Sequence, residues 1–120
     1  MAQYSLPATI PAGQSLSSAV ACTSRIAQIF MPTDDWTTAP LTFQVSLDGL
    51  DFFDLYDIQI VTGSYQPFEI VVPSVTPHTA YVLPPDTGSA ISWIRLRSGT
   101  RQTPVAQAAD RTFQILFDVV

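Results

Sequence analysis

The sequence predicts an all-β protein, an antiparallel β-sandwich of jelly-roll type with eight or nine short strands. Three observations predict this fold class. Apolar and polar residues alternate along most of the chain, strand-like segments recur about every 8 to 14 residues, and Gly, Pro, Ser, Thr or Asp residues bracket each segment. The best helix candidate, residues 103–109, would span under two turns and is interpreted as a loop with at most one helical turn.

The clearest strand covers residues 41–47, in which every second side chain is apolar. The apolar positions are Leu41, Phe43, Val45 and Leu47, and they alternate with Thr42, Gln44, Ser46 and Asp48. This period of two predicts a half-buried strand. Asp48 and Gly49 then supply the turn chemistry of a hairpin, and a second extended segment opens at Phe52 and runs toward Ile60.

A third extended segment places Phe68, Ile70 and Val72 on one face. Pro67 and Pro73 bound it, and their missing N–H groups suit the ends or edges of strands. The same alternation predicts six further strands. They cover residues 4–10, 16–22, 25–31, 79–83, 91–98 and 111–119.

The absence of helices between these strands favours an antiparallel sandwich over a parallel α/β sheet. Both jelly-roll and immunoglobulin-like topologies fit the pattern. The immunoglobulin hallmark is a pair of Cys residues with a core Trp between them, and Cys22 stands alone, which favours the jelly roll. No repeat or linker divides the chain, so a single domain is expected over residues 1–120, in which residues 1–12 form either a strand or an arm reaching a neighbour.

The charge of the chain is both low and acidic. Only 12% of the residues are charged, against roughly 25% in ordinary soluble domains. Nine Asp, one Glu and five Arg give a net charge of −5, the wrong sign for tracking nucleic-acid phosphates. A surface with few ions is easily buried in an interface, so the composition favours an assembling protein, with a slightly under-charged monomer as the alternative.

Membrane insertion and secretion are not expected. No apolar run approaches 18 residues, and the N-terminal stretch lacks the basic and apolar regions of a signal peptide. A single Cys forms no internal disulfide, and the chain contains no Asn and therefore no N-glycosylation acceptor.

Catalysis, metals and cofactors are likewise not expected. The chain has one His, His78, and no Gly-x-Ser-x-Gly motif, and Cys22 lies within an apolar strand where a thiol behaves as a small hydrophobe. One His and one Cys do not make a zinc site.

Four carboxylates spaced three residues apart, Asp48, Asp51, Asp54 and Asp57, are the weak candidates for calcium. Their register does not match an EF-hand loop, and turn formation around a hairpin explains them equally well. A pair of them as the acid and base of a glycosidase is a further alternative.

The predicted strand 91–98 has an asymmetric pair of faces. Trp93, Arg95 and Arg97 share one face, whereas Ile94 and Leu96 share the other. Trp and Arg are the preferred anchors of protein interfaces, so this face is a candidate partner-binding surface. The alternative is that Trp93 packs internally and that the Arg side chains pair with nearby Asp residues.

Trp36 lies in a polar loop at residues 32–37, where no periodicity explains a large aromatic residue. One interpretation is that it caps the end of the sandwich. The other is that it anchors a partner or a glycan.

Five segments of the chain resemble small structural proteins of tailed bacteriophages. They are MPTDDWT at 31–37, LTFQVSLDG at 41–49, FDLYD at 53–57, WIRLRSGT at 93–100 and TPVAQAADRT at 103–112. The resemblance implies a virion component made in the host bacterial cytoplasm. It implies a capsid decoration or cement protein that binds the major capsid protein or another virion protein, acts as a dimer or trimer and has no catalytic residues. A head fibre or tail module is the nearby alternative.

The leading hypothesis is therefore a non-enzymatic virion protein that stabilises the particle, with Trp36, Trp93, Arg95, Arg97 and the N-terminal segment as candidate contacts. The alternative is a carbohydrate-binding or receptor-binding module, because the pattern Phe-x-Val-Ser-x-Asp-Gly at residues 43–49 also occurs in carbohydrate-binding β-sandwiches. Trp36 or Trp93 would then stack on a sugar.

Overall fold

The structure, a computed structural model, describes residues 2–22, 24–83 and 92–119. Its regular elements are ten β-strands, and the described residues contain no helix. In chain order the strands are β1 (Ala2–Ile10), β2 (Val20–Ala21), β3 (Arg25–Phe30), β4 (Leu41–Ser46), β5 (Phe53–Asp54), β6 (Tyr56–Val61), β7 (Ser64–Glu69), β8 (Ala80–Val82), β9 (Trp93–Ser98) and β10 (Arg111–Val119). Every pairing between them is antiparallel, so the all-β antiparallel prediction is confirmed.

The expected count of eight or nine strands is too low. The segment 52–60, predicted as one strand, divides at Leu55 into β5 and β6, which belong to different sheets. The main chain of Leu55 explains the division, because its N–H donates to Phe43 and its carbonyl accepts from Ile70. Ile91, the first residue of the predicted strand 91–98, and Met1 lie outside the described residues.

The strands form two four-stranded sheets and one two-stranded sheet. The first sheet has the order β1-β10-β3-β8, the second has the order β2-β9-β4-β5, and β6 pairs with β7 alone. We call the first two sheet A and sheet B. The N-terminal segment is strand β1, which pairs with β10 over nine residues at the edge of sheet A.

Sheets A and B share one apolar core. Alternate residues of β10 and β1, together with Ile26 and Ile29 of β3, contribute from sheet A, and alternate residues of β4 and β9 contribute from sheet B. The fully buried large side chains are Ile10, Ile26, Ile29, Leu41, Phe43, Ile94, Leu96, Phe113, Ile115 and Phe117. Removing this apolar surface from water is the main stabilising contribution to the fold.

The prediction that β4 is half-buried is wrong, because both of its faces are covered. Leu41 and Phe43 enter the core, and Thr42 on the opposite face is also fully buried. The Thr42 hydroxyl donates to the carbonyl of Gly99 at 2.7 Å and accepts from the guanidinium of Arg97 at 3.0 Å. These hydrogen bonds let a polar side chain lie inside the protein.

The loop 99–110 contains no helix. Gly99 and Pro104 form an isolated β-bridge, and Gln107 is buried. The Gln107 amide accepts from the N–H of Thr37 at 2.9 Å and donates to the Ser98 hydroxyl at 2.6 Å, so the loop is attached to the end of β9. In the part of the chain that the structure describes, no helix is long and apolar enough to cross a bilayer.

Candidate functional site

The Trp and Arg side chains of β9 lie on one face of the strand, opposite the core residues Ile94 and Leu96. Arg97 is only 5% exposed, and Trp93 and Arg95 are half-buried. Internal contacts therefore account for much of this face. They show how its side chains hold neighbouring strands and loops together.

Arg97 joins three strands through an ion-pair cluster. Its Nη1 lies 2.5 Å from Oδ1 of Asp54 on β5, and its Nη2 lies 2.6 Å from Oε2 of Glu69 at the end of β7. Its Nε donates to Thr42 on β4. A planar guanidinium with several fixed donors suits this role, because one group satisfies two carboxylates and a hydroxyl. Arg97 thereby attaches β7, and with it the β6–β7 pair, to sheet B.

Arg101 completes the cluster from the exposed side. Its Nε lies 3.4 Å from Oδ2 of Asp54, and its backbone N–H donates to Glu69. A hydrogen bond to Tyr56 on β6 is the first cause of a raised pKa of Arg101. Two cations and two carboxylates are thus balanced at the base of the β6–β7 pair.

The pKa of Asp54 lies below its ordinary value. Partial burial acts in the opposite direction, but the hydrogen bonds donated by Gln44 and Arg97, followed by the charges of Arg97 and Arg101, outweigh it. Asp54 is therefore a carboxylate at neutral pH.

Arg95 and Trp93 pack against the loop between β4 and β5. The guanidinium of Arg95 lies 4.0 Å from the ring centroid of Phe52, and its Nε donates to Gln44 at 2.7 Å. The backbone of Gly49 lies against the indole of Trp93, so close that a Cβ at position 49 would stand 2.9 Å from Cε2 of the ring. Gly49 also has a φ of +81°, which favours glycine.

Arg97 therefore pairs with Asp54, as one of the two sequence interpretations expected. The other interpretation, that Trp93, Arg95 and Arg97 contact a partner, stays a prediction. It concerns the exposed edges of Trp93 and Arg95, because the charged end of Arg97 has partners within the chain.

Trp36 packs at one end of the core. Its ring meets Phe113 edge-on, with centroids 5.6 Å apart, and its Nε1 donates to the carbonyl of Ala39 at 3.1 Å. The residue is half-buried, so part of its surface faces solvent. These contacts agree with the capping interpretation, and partner or glycan contact by Trp36 stays a prediction.

Two of the four calcium candidates, Asp48 and Asp54, are engaged in different interactions. Asp48 closes its own turn, because its Oδ1 accepts the N–H groups of Leu50 and Asp51. The hydrogen bonds from Asp51, then from Leu50 and Ser46, lower the pKa of Asp48. Asp54 faces Arg97 instead. Among the described residues, no group of three or more His, Cys, Asp or Glu side chains is placed to hold a metal ion.

The two residues considered for catalysis, His78 and Cys22, lie in different segments of the chain. His78 is exposed on a loop and has a φ of +59°, while its backbone N–H donates to Pro32 at 2.8 Å. Burial raises the pKa of the Cys22 thiol to about 11, so the nucleophilic thiolate is scarce at neutral pH.

Sequence reasoning missed a large exposed apolar feature, the β6–β7 hairpin. Eleven of its twelve strand residues are exposed. The register places Tyr56, Ile58 and Ile60 on one face with Tyr65 and Pro67. Ile58, Ile60 and Tyr65 are 68%, 66% and 77% exposed. We call these five residues the apolar hairpin face.

The other face of the hairpin carries mostly polar side chains, so the hairpin is amphipathic although neither face enters the core. Thr62 and Gly63 make its two-residue turn, with φ values of 51° and 78°. Positive φ at both positions is the signature of a type I′ hairpin turn. The sequence signal that would have located this hairpin is Gly63, which follows Thr62 between two alternating segments.

Comparison of the chain with protein-family models, curated proteins and solved structures finds no match.

Proposed function

We propose that this chain is a non-enzymatic virion structural protein of a tailed phage, of the capsid decoration or cement type, which binds the capsid surface and stabilises the particle. The observation that carries the proposal is the apolar hairpin face, a contiguous set of large apolar side chains outside the core. Exposed patches of this kind mark interaction sites in soluble domains.

The strand pairing supports a jelly-roll sandwich as the finer fold. Leaving aside β6–β7, the remaining strands pair from the outside of the chain inward: β1 with β10, β2 with β9, β3 with β8 and β4 with β5. A long antiparallel ribbon wrapped in this way, with its pairs divided between two four-stranded sheets, is the arrangement of a jelly roll. Viral capsid domains use this fold, as lectins do, so the fold favours the proposal.

The size of the apolar hairpin face suits attachment to a protein lattice. It consists of five residues, fewer than the roughly 20 to 30 residues that each partner contributes to a standard interface. One such contact is modest. Many copies on a repeated lattice, in dimers or trimers, would add their contacts through high effective concentration.

The charges around the face favour an apolar protein partner. Within the hairpin, the face has one charged neighbour, Glu69, and Arg97 neutralises it. Arg101, which hydrogen-bonds to Tyr56 at the edge of the face, is also paired, with Asp54. Covering the face would therefore bury no unpaired ion, which avoids one large desolvation penalty. A module that binds the assembled lattice and not its separate subunits stabilises the assembly by mass action.

The first test is the presence of the chain in particles. Purified virions of the phage that encodes it should contain the chain by mass spectrometry, and cryo-electron microscopy should locate it on the capsid. Virions that lack the chain would overturn the proposal.

The second test locates the contact. Purified protein is added to particles from which its gene has been deleted, and co-sedimentation is measured. The double variant Ile58→Ser, Ile60→Ser should lose particle binding at least tenfold, whereas Gln114→Ala, which removes an exposed amide of sheet A, should bind as the unaltered chain does. Equal binding by all three proteins would overturn the assignment of the hairpin.

Carbohydrate binding through Trp36 or Trp93 was the alternative function. Trp36 is hydrogen-bonded and packed on Phe113, and Trp93 packs on Gly49. No observation at these two rings favours a stacking platform, so the virion structural role remains the proposal.

A further inference from the structure

A cleft of about 750 Å³ lies on the outer face of sheet A, away from the hairpin. Alternation along the strands explains its position. Ile29 on β3 and Ile115 on β10 point into the core, whereas the neighbouring Phe30 and Gln114 point outward and line the cleft. Its volume lies within the range of about 300 to 1,000 Å³ that is usual for small-ligand sites.

The floor of the cleft is an aromatic ring beside a free amide. Phe30 is 39% exposed, and the register places it directly opposite Gln114, with Ala80 on its other side. Opposed side chains of an antiparallel pair have Cβ atoms about 5 Å apart. A ligand resting on the ring of Phe30 would therefore be within reach of the Gln114 amide.

Hydroxyl and imidazole side chains complete the lining. Ser5 lies on β1, Thr112 on β10, and Thr33 and His78 belong to the loops at one end. Thr112 and Thr9 share a hydrogen bond, whereas the side chains of Ser5, Thr33, His78 and Gln114 have no hydrogen-bond partner among the described residues. Amide and hydroxyl groups both donate and accept, so they can pair with a ligand hydroxyl in either direction.

The charge of the lining restricts the class of ligand. The described residues of the cleft include no Arg, Lys, Asp or Glu. The charged residues of the same sheet face, Arg25 and Asp118, pair with each other at one end, and Gln3 donates to Asp118 at 2.8 Å. An ionic ligand would find no Arg, Lys, Asp or Glu partner among the described lining residues, and a purely apolar one would leave Gln114 and Ser5 unpaired.

We propose that this cleft binds a neutral carbohydrate, with Phe30 as the stacking platform and Gln114 and Ser5 as hydroxyl-binding groups. The face of an aromatic ring carries negative charge and attracts the polarised C–H groups of a sugar ring. The amide and hydroxyls then recognise the ring hydroxyls. This function goes beyond attachment to a capsid and would give the particle contact with a glycan.

The experiment measures binding of the full chain to defined sugars. The probes are cellohexaose, maltohexaose and chitohexaose, with hexagalacturonate as the acidic counterpart, followed by saturation-transfer NMR and calorimetric titration. We expect saturable binding of at least one neutral hexasaccharide and none of the acidic one. Phe30→Ala and Gln114→Ala should each weaken that binding at least tenfold.

The matched control is the double variant Ile58→Ser, Ile60→Ser, which should bind sugar as the unaltered chain does. Gln114→Ala alters one exposed side chain, so it keeps the test valid if Phe30→Ala does not fold. The proposal is overturned if no neutral hexasaccharide binds, if the acidic one binds better, or if both cleft variants bind normally. Particle binding is scored on the hairpin variant, so the two proposals can fail separately.

Discussion

The hairpin and the two large sheets use the same sequence pattern in opposite ways. Ile58 and Ile60 alternate with polar residues on β6 as Phe113 and Ile115 do on β10. The β10 pair is fully buried, and the β6 pair is about two-thirds exposed. Apolar alternation therefore identifies a strand with one apolar face but does not say whether that face belongs to the core or to a partner.

The comparison also explains the position of the Arg97 cluster. A two-stranded hairpin alone is marginally stable in water. Its base is held by Arg97 through Glu69, and by the main-chain hydrogen bond from Ile70 to Leu55. The cluster thus keeps an otherwise unsupported hairpin in place while leaving its apolar face open.

The largest expected effect tests the contrast in burial. Phe113→Ala should lower the free energy of unfolding by about 3 to 5 kcal/mol, because it removes a fully buried aromatic ring and leaves a cavity. Ile58→Ala should change it by under about 0.5 kcal/mol, because its side chain is already solvated. Urea unfolding followed by circular dichroism measures both, and similar losses would mean that the hairpin belongs to the core.

The second prediction concerns the base of the hairpin. Arg97→Ala should lower the stability by about 3 kcal/mol, because Asp54 and Glu69 lose their buried ion-pair partner. Arg101→Ala is the matched control, and its effect should be much smaller because its guanidinium is exposed to solvent. Equal effects of the two variants in urea unfolding would contradict the structural role of Arg97.

The third prediction compares two turns. Gly49 and Gly63 both have positive φ, so Ala is strained at either position. Only Gly49 lies against a neighbour, the indole of Trp93, whereas the space around Gly63 is open. Gly49→Ala should lower stability by about 2 kcal/mol, and Gly63→Ala by about 1 kcal/mol or less. Thermal unfolding tests the order, and a reversed order would argue against the packing of Trp93 on the loop.

The smallest effect is a dependence on pH. Asp54 and Asp118 have lowered pKa values in the folded chain, the latter first through the hydrogen bond from Gln3 and then through Arg25. The unfolded chain therefore takes up protons at a higher pH than the folded chain. Stability should be constant from pH 7 to about 5 and should fall as the pH drops below about 4, the ordinary Asp value.

Denaturant unfolding at a series of pH values checks this. Asp54→Asn should be less stable at pH 7 and should lose less on acidification than the unaltered chain, since it lacks one of the titrating groups. If Asp54→Asn lost as much stability on acidification as the unaltered chain, Asp54 would not contribute to the acid dependence.

Much of the secondary structure could be predicted from the sequence. The segments predicted at 25–31, 41–47 and 111–119 match β3, β4 and β10 closely, because side-chain direction in a strand is a local property with a period of two. The segment at 16–22 was predicted too long, since only Val20 and Ala21 form a strand there.

The contacts that make up the candidate sites could be predicted less well from the sequence. Trp93, Arg95 and Arg97 share a face, as the alternation indicated, but their partners Asp54, Gln44 and Glu69 come from three other strands. The apolar hairpin face was not recognised as exposed. The cleft on sheet A joins side chains of four strands and two loops that no spacing in the sequence connects.

The sequence by itself determined the β class, most strand positions, the low charge and the turn at Asp48 and Gly49, because each depends on residue type and near neighbours. Only the tertiary structure decided which strands pair and which faces are covered. It placed β1 beside β10 across almost the whole chain, buried Thr42 and Arg97, and left Ile58 and Ile60 in solvent. Burial depends on which distant segment packs on a face, and alternation carries no information about that segment.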